Sequence, residues 1–262
     1  MIQPSLMLLC ILLTVFQVTI GDPNHNQWTV RLHYDSLSND VVCGGVLISP
    51  KHILTAKHCA IDTFTHVEFA NVDHLKGQPF EVTYAYHHYA LDLSILLLEH
   101  PVEIQPIQLS RSSKLDGSKV EFHGFGHDSY KEVKLTLESR KQCYTEFQLQ
   151  VLHDRRDLCD AAKYKRVGED FQVEYDHDIN EQFDLICSRG LIVPGDSGGP
   201  LMKRTKKNQW KLVGIASFVF QRGFQDLPCH QDWDGQEETI GYFVNLRFAL
   251  TWIQNIIENR FG

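Results

Sequence analysis

The sequence predicts an all-β fold of the sandwich or barrel type, and two observations carry this prediction. Short apolar runs recur along the chain between polar turn residues, and several of them alternate at period two or are rich in β-branched and aromatic residues. Helical patterns do not alternate with these runs, which argues against a parallel α/β sheet. The runs are WTVRLHY, GGVLISP, HILTAKHC, HVEFANV, LSILLLE, SKVEFHGFG, KLVGIASFVF and TIGYFVNL.

The end of the chain is the one segment with a strong helical pattern. In RFALTWIQNIIENRFG, Phe248, Trp252 and Ile256 lie four residues apart, and Ile253 and Ile257 flank them. Residues at this spacing share one face of a helix. We therefore expect a C-terminal helix over about 247–260 that packs this apolar face against the body of the protein.

The first 21 residues differ from the rest of the chain. The run LMLLCILLTVFQVTIG carries no charge, is short for a membrane span and is interrupted by Gln17. We interpret residues 1–21 as a secretory signal peptide with Asp22 as the first residue of the mature chain. Because no basic residue precedes the apolar run, a membrane anchor is the alternative interpretation.

Length and charge set broad limits on function. The 262 residues suffice for one large all-β domain or two small ones. The net charge of −8 argues against nucleic acid as a partner, because a nucleic-acid-binding surface is basic. We expect no membrane association after removal of the signal peptide.

The cysteines indicate an oxidising compartment. Loss of Cys10 with the signal peptide leaves six cysteines, and an even number in a secreted chain suggests disulfides. None of them forms a CxxC pair, and the adjacent His87 and His88 would face opposite sides of a strand. We therefore expect no metal site and no cofactor.

Three polar residues in separate segments are candidates for nucleophilic catalysis. GDSGGP places Ser197 in a glycine-rich turn, and a hydroxyl near neutral pH needs a base to take its proton. His58 ends a β-rich run next to a cysteine. Asp92 lies at the mouth of a strongly apolar strand, where a carboxylate needs a hydrogen-bond donor such as a histidine ring.

These segments together resemble the chymotrypsin-like, or trypsin-type, serine protease family. The resemblance covers about residues 28–257 and rests on LTAKHC, DLSILLL, GFG, DLIC, GDSGGP and TWIQNII, with the candidates in the family's order His, Asp, Ser. It implies two packed six-stranded antiparallel Greek-key β-barrels in a domain of residues 22–262. The first barrel would cover about 28–110 and the second about 111–245.

The resemblance also implies a role for each candidate. Ser197 would be the nucleophile, His58 the general base and later the general acid, and Asp92 the group that orients His58. The backbone N–H groups of Gly195 and Ser197 would form the oxyanion hole. Hydrolysis would proceed through an acyl-enzyme.

The residues that match the family's substrate pocket indicate a preference for apolar side chains. Leu191 stands at the base of the pocket, where a carboxylate would be needed to hold Arg or Lys. Val219 would narrow one wall, and Gly241 would keep the opposite wall small. Ser217 would support the buried aspartate, and Ser217, Phe218 and Val219 would pair with the substrate backbone. We expect small or medium apolar residues at the scissile position, as in elastase-type pockets.

The resemblance implies two disulfides, and we expect the two remaining cysteines to form a third. Apart from the first pair, four cysteines allow three connectivities, among which the sequence does not choose. The three expected pairs are Cys43–Cys59, Cys159–Cys187 and Cys143–Cys229.

The N-terminal region departs from the family pattern. In the family, cleavage after a basic residue creates an amino terminus that pairs with the aspartate before the nucleophile, here Asp196. No basic residue precedes such a site in this chain, although cleavage after Thr19 would expose Ile20 directly. If the mature chain instead begins at Asp22, Asp196 needs another cationic partner.

The sequence thus predicts a secreted, extracellular, monomeric serine endopeptidase with polypeptide substrates and proteinaceous inhibitors as partners. One alternative is a catalytically inactive homologue that acts as a secreted binding protein. Another is an acyl-transfer or esterase activity on small esters. The acidic stretch 168–184 and the basic stretch 203–211 are either solvated loops or exosites for charged partners.

Overall fold

A computed structural model describes ten segments of the chain, which together contain both sheets and the C-terminal helix. These segments are residues 27–33, 41–60, 66–126, 129–154, 165–167, 170–172, 184–190, 192–193, 195–222 and 238–260. The expected signal peptide, Leu191, Cys159 and Cys229 lie outside the described residues.

The first sheet closes into a six-stranded antiparallel barrel. Its order is β1–β2–β3–β6–β5–β4, with β4 returning to pair with β1. The strands are β1 (Thr29–His33), β2 (Val41–Ser49), β3 (His52–Thr55), β4 (His66–Phe69), β5 (Phe80–His87) and β6 (Ser94–Leu98).

Alternation of side chains explains why these segments form a barrel. In β1, Val30 and Leu32 are fully buried, whereas Arg31 between them is only half-buried. In β6 the apolar run continues without alternation, and Ile95, Leu96 and Leu98 are fully buried. Strands with both faces covered are expected to lack alternation, so β6 is covered by other parts of the structure on both sides.

The second sheet contains seven strands. Its main path is β12–β15–β14–β13–β8–β9, and β7 pairs in parallel with β14. An isolated antiparallel bridge between Leu137 and Ser188 brings the two ends of the path together. The strands are β7 (Gln108–Leu109), β8 (Lys119–Gly124), β9 (Lys131–Thr136), β12 (Leu185–Arg189), β13 (Pro200–Arg204), β14 (Trp210–Arg222) and β15 (Glu238–Asn245), and a separate hairpin joins β10 (Lys165–Val167) to β11 (Asp170–Gln172).

Two α-helices lie within the described segments, and the sequence indicated only the second. Helix α1 spans Arg140–Asp154, and helix α2 spans Leu250–Ile257 after a 3-10 turn at Leu246–Phe248. The most buried residues of α2 are Ile253 and Ile256, and Trp252 packs beside them partly exposed. No helix among the described residues is long and apolar enough to cross a membrane.

The predicted fold is confirmed, because the chain forms two antiparallel, barrel-like β-sheets with a C-terminal helix. One large apolar cluster contains most of the buried side chains of the first barrel, those of α2 and several from the second sheet, and two smaller clusters belong to the second sheet and its surroundings. The two barrels meet where β2 approaches the turn before β13. Residues from both barrels therefore converge at this boundary.

Candidate active site

His58 lies directly after β3, in a 3-10 turn that a disulfide holds against β2. The turn spans His58–Ala60, and Cys59 within it is bonded to Cys43, as the resemblance implied. The His58 side chain is 45% exposed. The disulfide therefore fixes the backbone at His58, while its imidazole remains open to solvent.

Asp92 accepts three hydrogen bonds, two of them from His58. Its Oδ1 accepts from the His58 backbone N–H at 2.9 Å, and its Oδ2 lies 2.8 Å from Nδ1 of the ring. The hydroxyl of Ser217, on β14, donates to the same Oδ2 at 2.5 Å. The carboxylate thus connects the first barrel to the second.

The hydrogen bonds to Asp92 outweigh its burial. Burial alone would raise the pKa of the Asp92 carboxyl, but the donors on His58 and Ser217 lower it below its ordinary value of 3.8. An ionised carboxylate only accepts hydrogen bonds, so Nδ1 of His58 carries the proton in this pair. In the neutral ring Nε2 is then the acceptor nitrogen.

Ser197 lies in a tight turn that is bonded to both barrels. Its carbonyl accepts from the N–H of Gly44 on β2 at 2.7 Å, and the N–H of Gly198 donates to the carbonyl of Ala216 on β14 at 2.8 Å. Gly198 has a φ of +79°, and a Cβ there would lie 2.1 Å from the Gly44 oxygen and 2.3 Å from Oγ1 of Thr55. Only glycine fits this position.

Ser197 and His58 lie on segments that are both tied to β2, through Gly44 and through Cys43, but they are not hydrogen-bonded to each other. Within the described segments, the Ser197 hydroxyl makes no hydrogen bond, and Nε2 of His58 lies 3.7 Å from Sγ of Cys59. Catalytic hydrogen bonds are often long or misaligned without substrate and tighten when substrate binds.

Two backbone N–H groups of the Ser197 turn have no protein acceptor within the described segments. In the part of the chain that is described, the amides of Gly195 and Ser197 donate to no protein group. Gly195 has a φ of +93°, a conformation that favours glycine. Two such donors flanking a hydroxyl can stabilise a negatively charged oxygen.

The residue between these amides, Asp196, is a fully buried carboxylate. Its Oδ1 accepts from the N–H of Gly126 and its Oδ2 from the N–H of Val193, each at 2.8 Å. The ammonium of Lys131, on β9, lies 2.6 Å from Oδ2. Sequence reasoning did not single out Lys131; its only signal was the need of Asp196 for a cation.

The described residues of the expected substrate pocket pack closely on their neighbours. A Cβ at Gly241 would lie 2.6 Å from Cγ1 of Ile192, so the buried Ile192 side chain packs directly on this glycine. Phe218 stacks on Tyr242 with ring centroids 4.9 Å apart. Sequence reasoning did not single out Ile192. The one signal that could have found it is its position next to Leu191.

Residues 216–219 of β14 carry an irregularity at the site. The register of β14 against β15 shifts between Ala216 and Phe218, and Val219 then lies opposite Gly241. The shift leaves Ser217 without a β15 partner, and its side chain turns to Asp92. A β-bulge commonly re-aims a side chain in this way.

The second disulfide corrects the expected pairings. Cys187 on β12 is bonded to Cys143 on α1, with Cα atoms 5.5 Å apart, and not to Cys159. The expected Cys143–Cys229 pair is therefore also wrong. The physical reason is α1 itself, which packs against β12 and brings Cys143 within bonding distance of Cys187.

A cluster of possible metal ligands lies away from this site, on β1 and β4. His33, His66 and Glu68 place three ligand atoms within 4.8 Å of one another. The two imidazole rings are stacked, with 7° between their planes. Because the lone pair of a ring nitrogen lies in the ring plane, the stacked rings do not aim at a common ion.

Comparisons with known proteins agree with this architecture. Phenoloxidase-activating enzyme 1 of Spodoptera litura is 27% identical over 94% of this chain and 67% of its own length. The clotting factor G beta subunit of Tachypleus tridentatus is 24% identical, covering 90% and 77%. Glucanase inhibitor protein 2 of Phytophthora infestans is 26% identical, covering 74% of each chain.

Solved structures and a family model complete the comparison. A structure titled "Kallikrein-related peptidase 10 complex with Zn2+" superposes with a TM-score of 0.59 at 20% identity, covering 90% of this chain and 98% of the other, which shows a shared fold. The model of the family described as Trypsin matches residues 18–228. The chain therefore belongs to the trypsin family of serine proteases.

Proposed function

We propose that this protein is a serine endopeptidase that hydrolyses peptide bonds through an acyl-enzyme on Ser197. The observation that carries the proposal is the pair of Asp92 and His58, joined at 2.8 Å in the orientation that leaves Nε2 as a base. The unoccupied amides of Gly195 and Ser197 supply the second requirement, donors for a developing oxyanion.

In the proposed reaction, each catalytic group acts once while the acyl-enzyme forms and once while it is hydrolysed. Oγ of Ser197 bonds to the scissile carbonyl carbon as Nε2 of His58 takes the hydroxyl proton, and the carbonyl oxygen becomes an oxyanion held by the two amides. The carbon–nitrogen bond then breaks, and His58 gives its proton to the leaving amine. Water repeats the sequence on the acyl-enzyme, releasing the acid and restoring Ser197.

Asp92 contributes in two ways: its carboxylate stays negatively charged, and it holds the His58 ring in one orientation. When Nε2 accepts the serine proton, the ring becomes an imidazolium beside an ionised carboxylate. The hydrogen bonds from Ser217 and the His58 backbone keep that carboxylate fixed during both halves. Asp92 itself gains no proton.

The proposed specificity is for small or medium apolar residues before the scissile bond. Leu191 offers no charge to a substrate Arg or Lys, and burying an unpaired cation is unfavourable. Packing of Ile192 on Gly241 supports a shallow pocket. Ser217, Phe218 and Val219 are proposed to pair with the substrate backbone as an added strand.

The proposed setting is extracellular, with the protein acting as a monomer on polypeptides and subject to proteinaceous inhibitors. Two disulfides, Cys43–Cys59 and Cys143–Cys187, support this setting, because such bonds persist in oxidising compartments. Membership of the trypsin family supports a proteolytic role.

The test is covalent labelling combined with a cleavage profile. A fluorophosphonate should modify Ser197 in the secreted protein and should not modify the Ser197→Ala variant. A peptide library should then be cut mainly after Ala, Val or Leu. Predominant cleavage after Arg or Lys would overturn the specificity, and a protein that neither labels nor cleaves would overturn the activity.

A secreted, non-catalytic binding protein is the second candidate function. It is favoured by the missing hydrogen bond between Ser197 and His58 and by relatives named glucanase inhibitor proteins. This candidate predicts no fluorophosphonate labelling of a folded protein. Turnover of small esters without peptide cleavage would indicate the esterase alternative instead.

A further inference from the structure

Lys131 reaches from β9 into the space beneath the Ser197 turn, where its ammonium meets the buried carboxylate of Asp196. We propose that Lys131 is the positioning residue that orders the oxyanion-binding amides of Gly195 and Ser197, in place of a newly cut amino terminus. The proposal rests on the proposed function, because it assigns the device that makes that same site competent.

The carboxylate of Asp196 is completely buried. Its side chain is fully inaccessible to solvent, so its negative charge requires compensation from protein groups. Gly124 and Gly126 form the cradle of the carboxylate: a Cβ on Gly124 would lie 2.2 Å from Oδ1, and a Cβ on Gly126 would lie 2.9 Å from it. The cavity is shaped for the carboxylate and leaves little room for displacement.

Three groups of the protein contact the Asp196 carboxylate, and only one of them is charged. The amides of Gly126 and Val193 each donate one hydrogen bond at 2.8 Å, but neither carries a formal charge. The Lys131 ammonium, 2.6 Å from Oδ2, supplies a full positive charge, and its side chain is 23% exposed. Removing one partner of a buried ion pair is far more disruptive than removing an exposed charge.

The ion pair between Lys131 and Asp196 acts on the proposed oxyanion donors through the backbone. Asp196 lies between Gly195 and Ser197, whose N–H groups are the proposed oxyanion donors. Anchoring the carboxylate inward fixes the backbone of this residue, and Gly199 N–H binds the Asp196 carbonyl at 3.0 Å on the other side. If the carboxylate lost its cation and turned to solvent, the peptide units on both sides would rotate with it.

A lysine partner for Asp196 also bears on whether the protein needs activation by cleavage. A cation supplied by a side chain of β9 is present as soon as the second barrel has folded. The site therefore needs no cleavage that creates an amino terminus near Asp196. Asp196 therefore has a cationic partner within the second barrel.

The experiment compares three single variants with the secreted wild type. Lys131→Gln removes the charge, Lys131→Arg keeps it, and Lys134→Gln is the matched control, since Lys134 lies three residues away on the exposed face of β9. We expect Lys131→Gln to lower kcat by about 10²-fold or more with KM nearly unchanged, because the affected donors act on the transition state. Lys131→Arg should restore most of the activity, and Lys134→Gln should equal the wild type.

A second arm tests the amino terminus directly. The wild type is also produced with a Gly-Ser-Gly-Ser extension before its sequenced mature residue. Unchanged kcat in the extended protein supports Lys131 as the partner of Asp196. Loss of activity on extension, with Lys131→Gln fully active, would overturn the inference and assign the partner to the terminal amine.

A third arm needs no catalysis and separates this inference from the proposed function. Hydrogen exchange over residues 192–199 is measured in Ser197→Ala with and without Lys131→Gln. Faster exchange confined to this segment in the double variant supports the ordering role even in a protein that never cleaves peptides. Unchanged exchange would overturn it, whatever the activity of the wild type.

Discussion

The hydroxyl of Ser217 and the carboxylate of Asp92, which lie 125 residues apart in the chain, are joined by a hydrogen bond of 2.5 Å. Ser217 belongs to β14 in the second barrel, and Asp92 precedes β6 in the first. The bond therefore ties the orientation of His58 to the packing of the two barrels. The contributions of both residues can be separated by substitution.

Replacing Asp92 with Asn should abolish most activity while leaving the fold intact. The amide has nearly the same shape, but it can donate to Nδ1 of His58 and so favours the wrong tautomer. We expect kcat to fall by about 10⁴-fold, the loss known for this exchange in other triad enzymes of this fold. A loss below tenfold, measured with a peptide substrate on a correctly folded protein, would show that Asp92 does not orient the base.

Replacing Ser217 with Ala should have a smaller effect. Asp92 keeps both donors of His58, and a hydrogen bond to a charged group contributes about 1.5–3 kcal/mol. We therefore expect kcat to fall by no more than about 10²-fold. Ser49→Ala is the control, since its hydroxyl also contacts a histidine, His52, at 2.6 Å, but on a turn of the first barrel outside the proposed site. Equal activity losses in both variants would contradict the assigned role.

Gly198→Ala should disrupt the Ser197 turn. The added Cβ would collide with the Gly44 oxygen and Thr55, so the turn would have to leave the first barrel. A displacement of about 1 Å in a catalytic group can cost about 10²-fold in rate, and we expect at least this loss in kcat. Gly117→Ala is the matched control, because Gly117 has a φ of +67° with open space around it.

The control separates backbone strain from collision. Gly117→Ala should cost about 1–2 kcal/mol of unfolding free energy, as expected for a left-handed alanine, without lowering kcat. Thermal unfolding and kinetics measured on both variants check this. Full activity in Gly198→Ala would mean that contact between the turn and β2 is not required.

The Cys143–Cys187 disulfide should stabilise the second barrel. It closes a loop of 44 residues, for which chain entropy predicts about 4 kcal/mol. We expect a Cys143→Ala, Cys187→Ala double variant to unfold at a clearly lower temperature. A non-reducing digest of the wild type should yield a peptide that links these two cysteines, and a link from Cys187 to Cys159 would refute the pairing.

The barrel strands were predictable from sequence because buried residues recur at every second position of a strand that has one covered face. Val30 and Leu32 alternate with polar neighbours, and the motifs around His58 and Ser197 are local in sequence. Helix α1 left no such signal, because polar residues such as Lys141, Gln142 and Glu146 interrupt any regular apolar face in its sequence. Without that helix, the correct partner of Cys187 was not predictable.

Lys131 was not predictable for a different reason. A lone lysine in a strand is ordinarily a solvated residue, and its role depends on a contact across 65 positions to Asp196. Alternation along its strand places Lys131 on the same face as Val133 and Leu135, but it does not show which carboxylate the ammonium meets. Only the electrostatic requirement of a buried Asp196 pointed to a cation, and that requirement did not identify the residue.

Stability should fall as the pH decreases below neutrality, and His88 should contribute to this fall. His88 is 5% exposed, its Nδ1 accepts from the N–H groups of Ala90 and Leu91, and its ring and that of Trp252 on α2 pack in a T-shaped arrangement. Burial, and then the ammonium of Lys57, lower the pKa of His88 below its ordinary value of 6.5. Protonation would also break both hydrogen bonds to Nδ1.

The sign of the effect follows from proton binding. Between the lowered pKa of folded His88 and 6.5, the unfolded chain binds more protons, so the free energy of unfolding rises with pH in this window. The stabilisation is complete above pH 6.5 and is lost as the pH falls toward the folded pKa. Asp184, which also faces His88, acts in the opposite direction, because burial raises its pKa above 3.8.

The measurement is therefore a difference between variants and not the whole pH profile. Urea unfolding at pH 5 and pH 7 should show a smaller pH dependence in His88→Gln than in the wild type, because Gln cannot take up the proton. His100→Gln, at a side chain that is 82% exposed, should keep the wild-type dependence. If His88→Gln instead retains the full dependence, the acid sensitivity belongs to His33 and His52, whose pKa values burial also lowers.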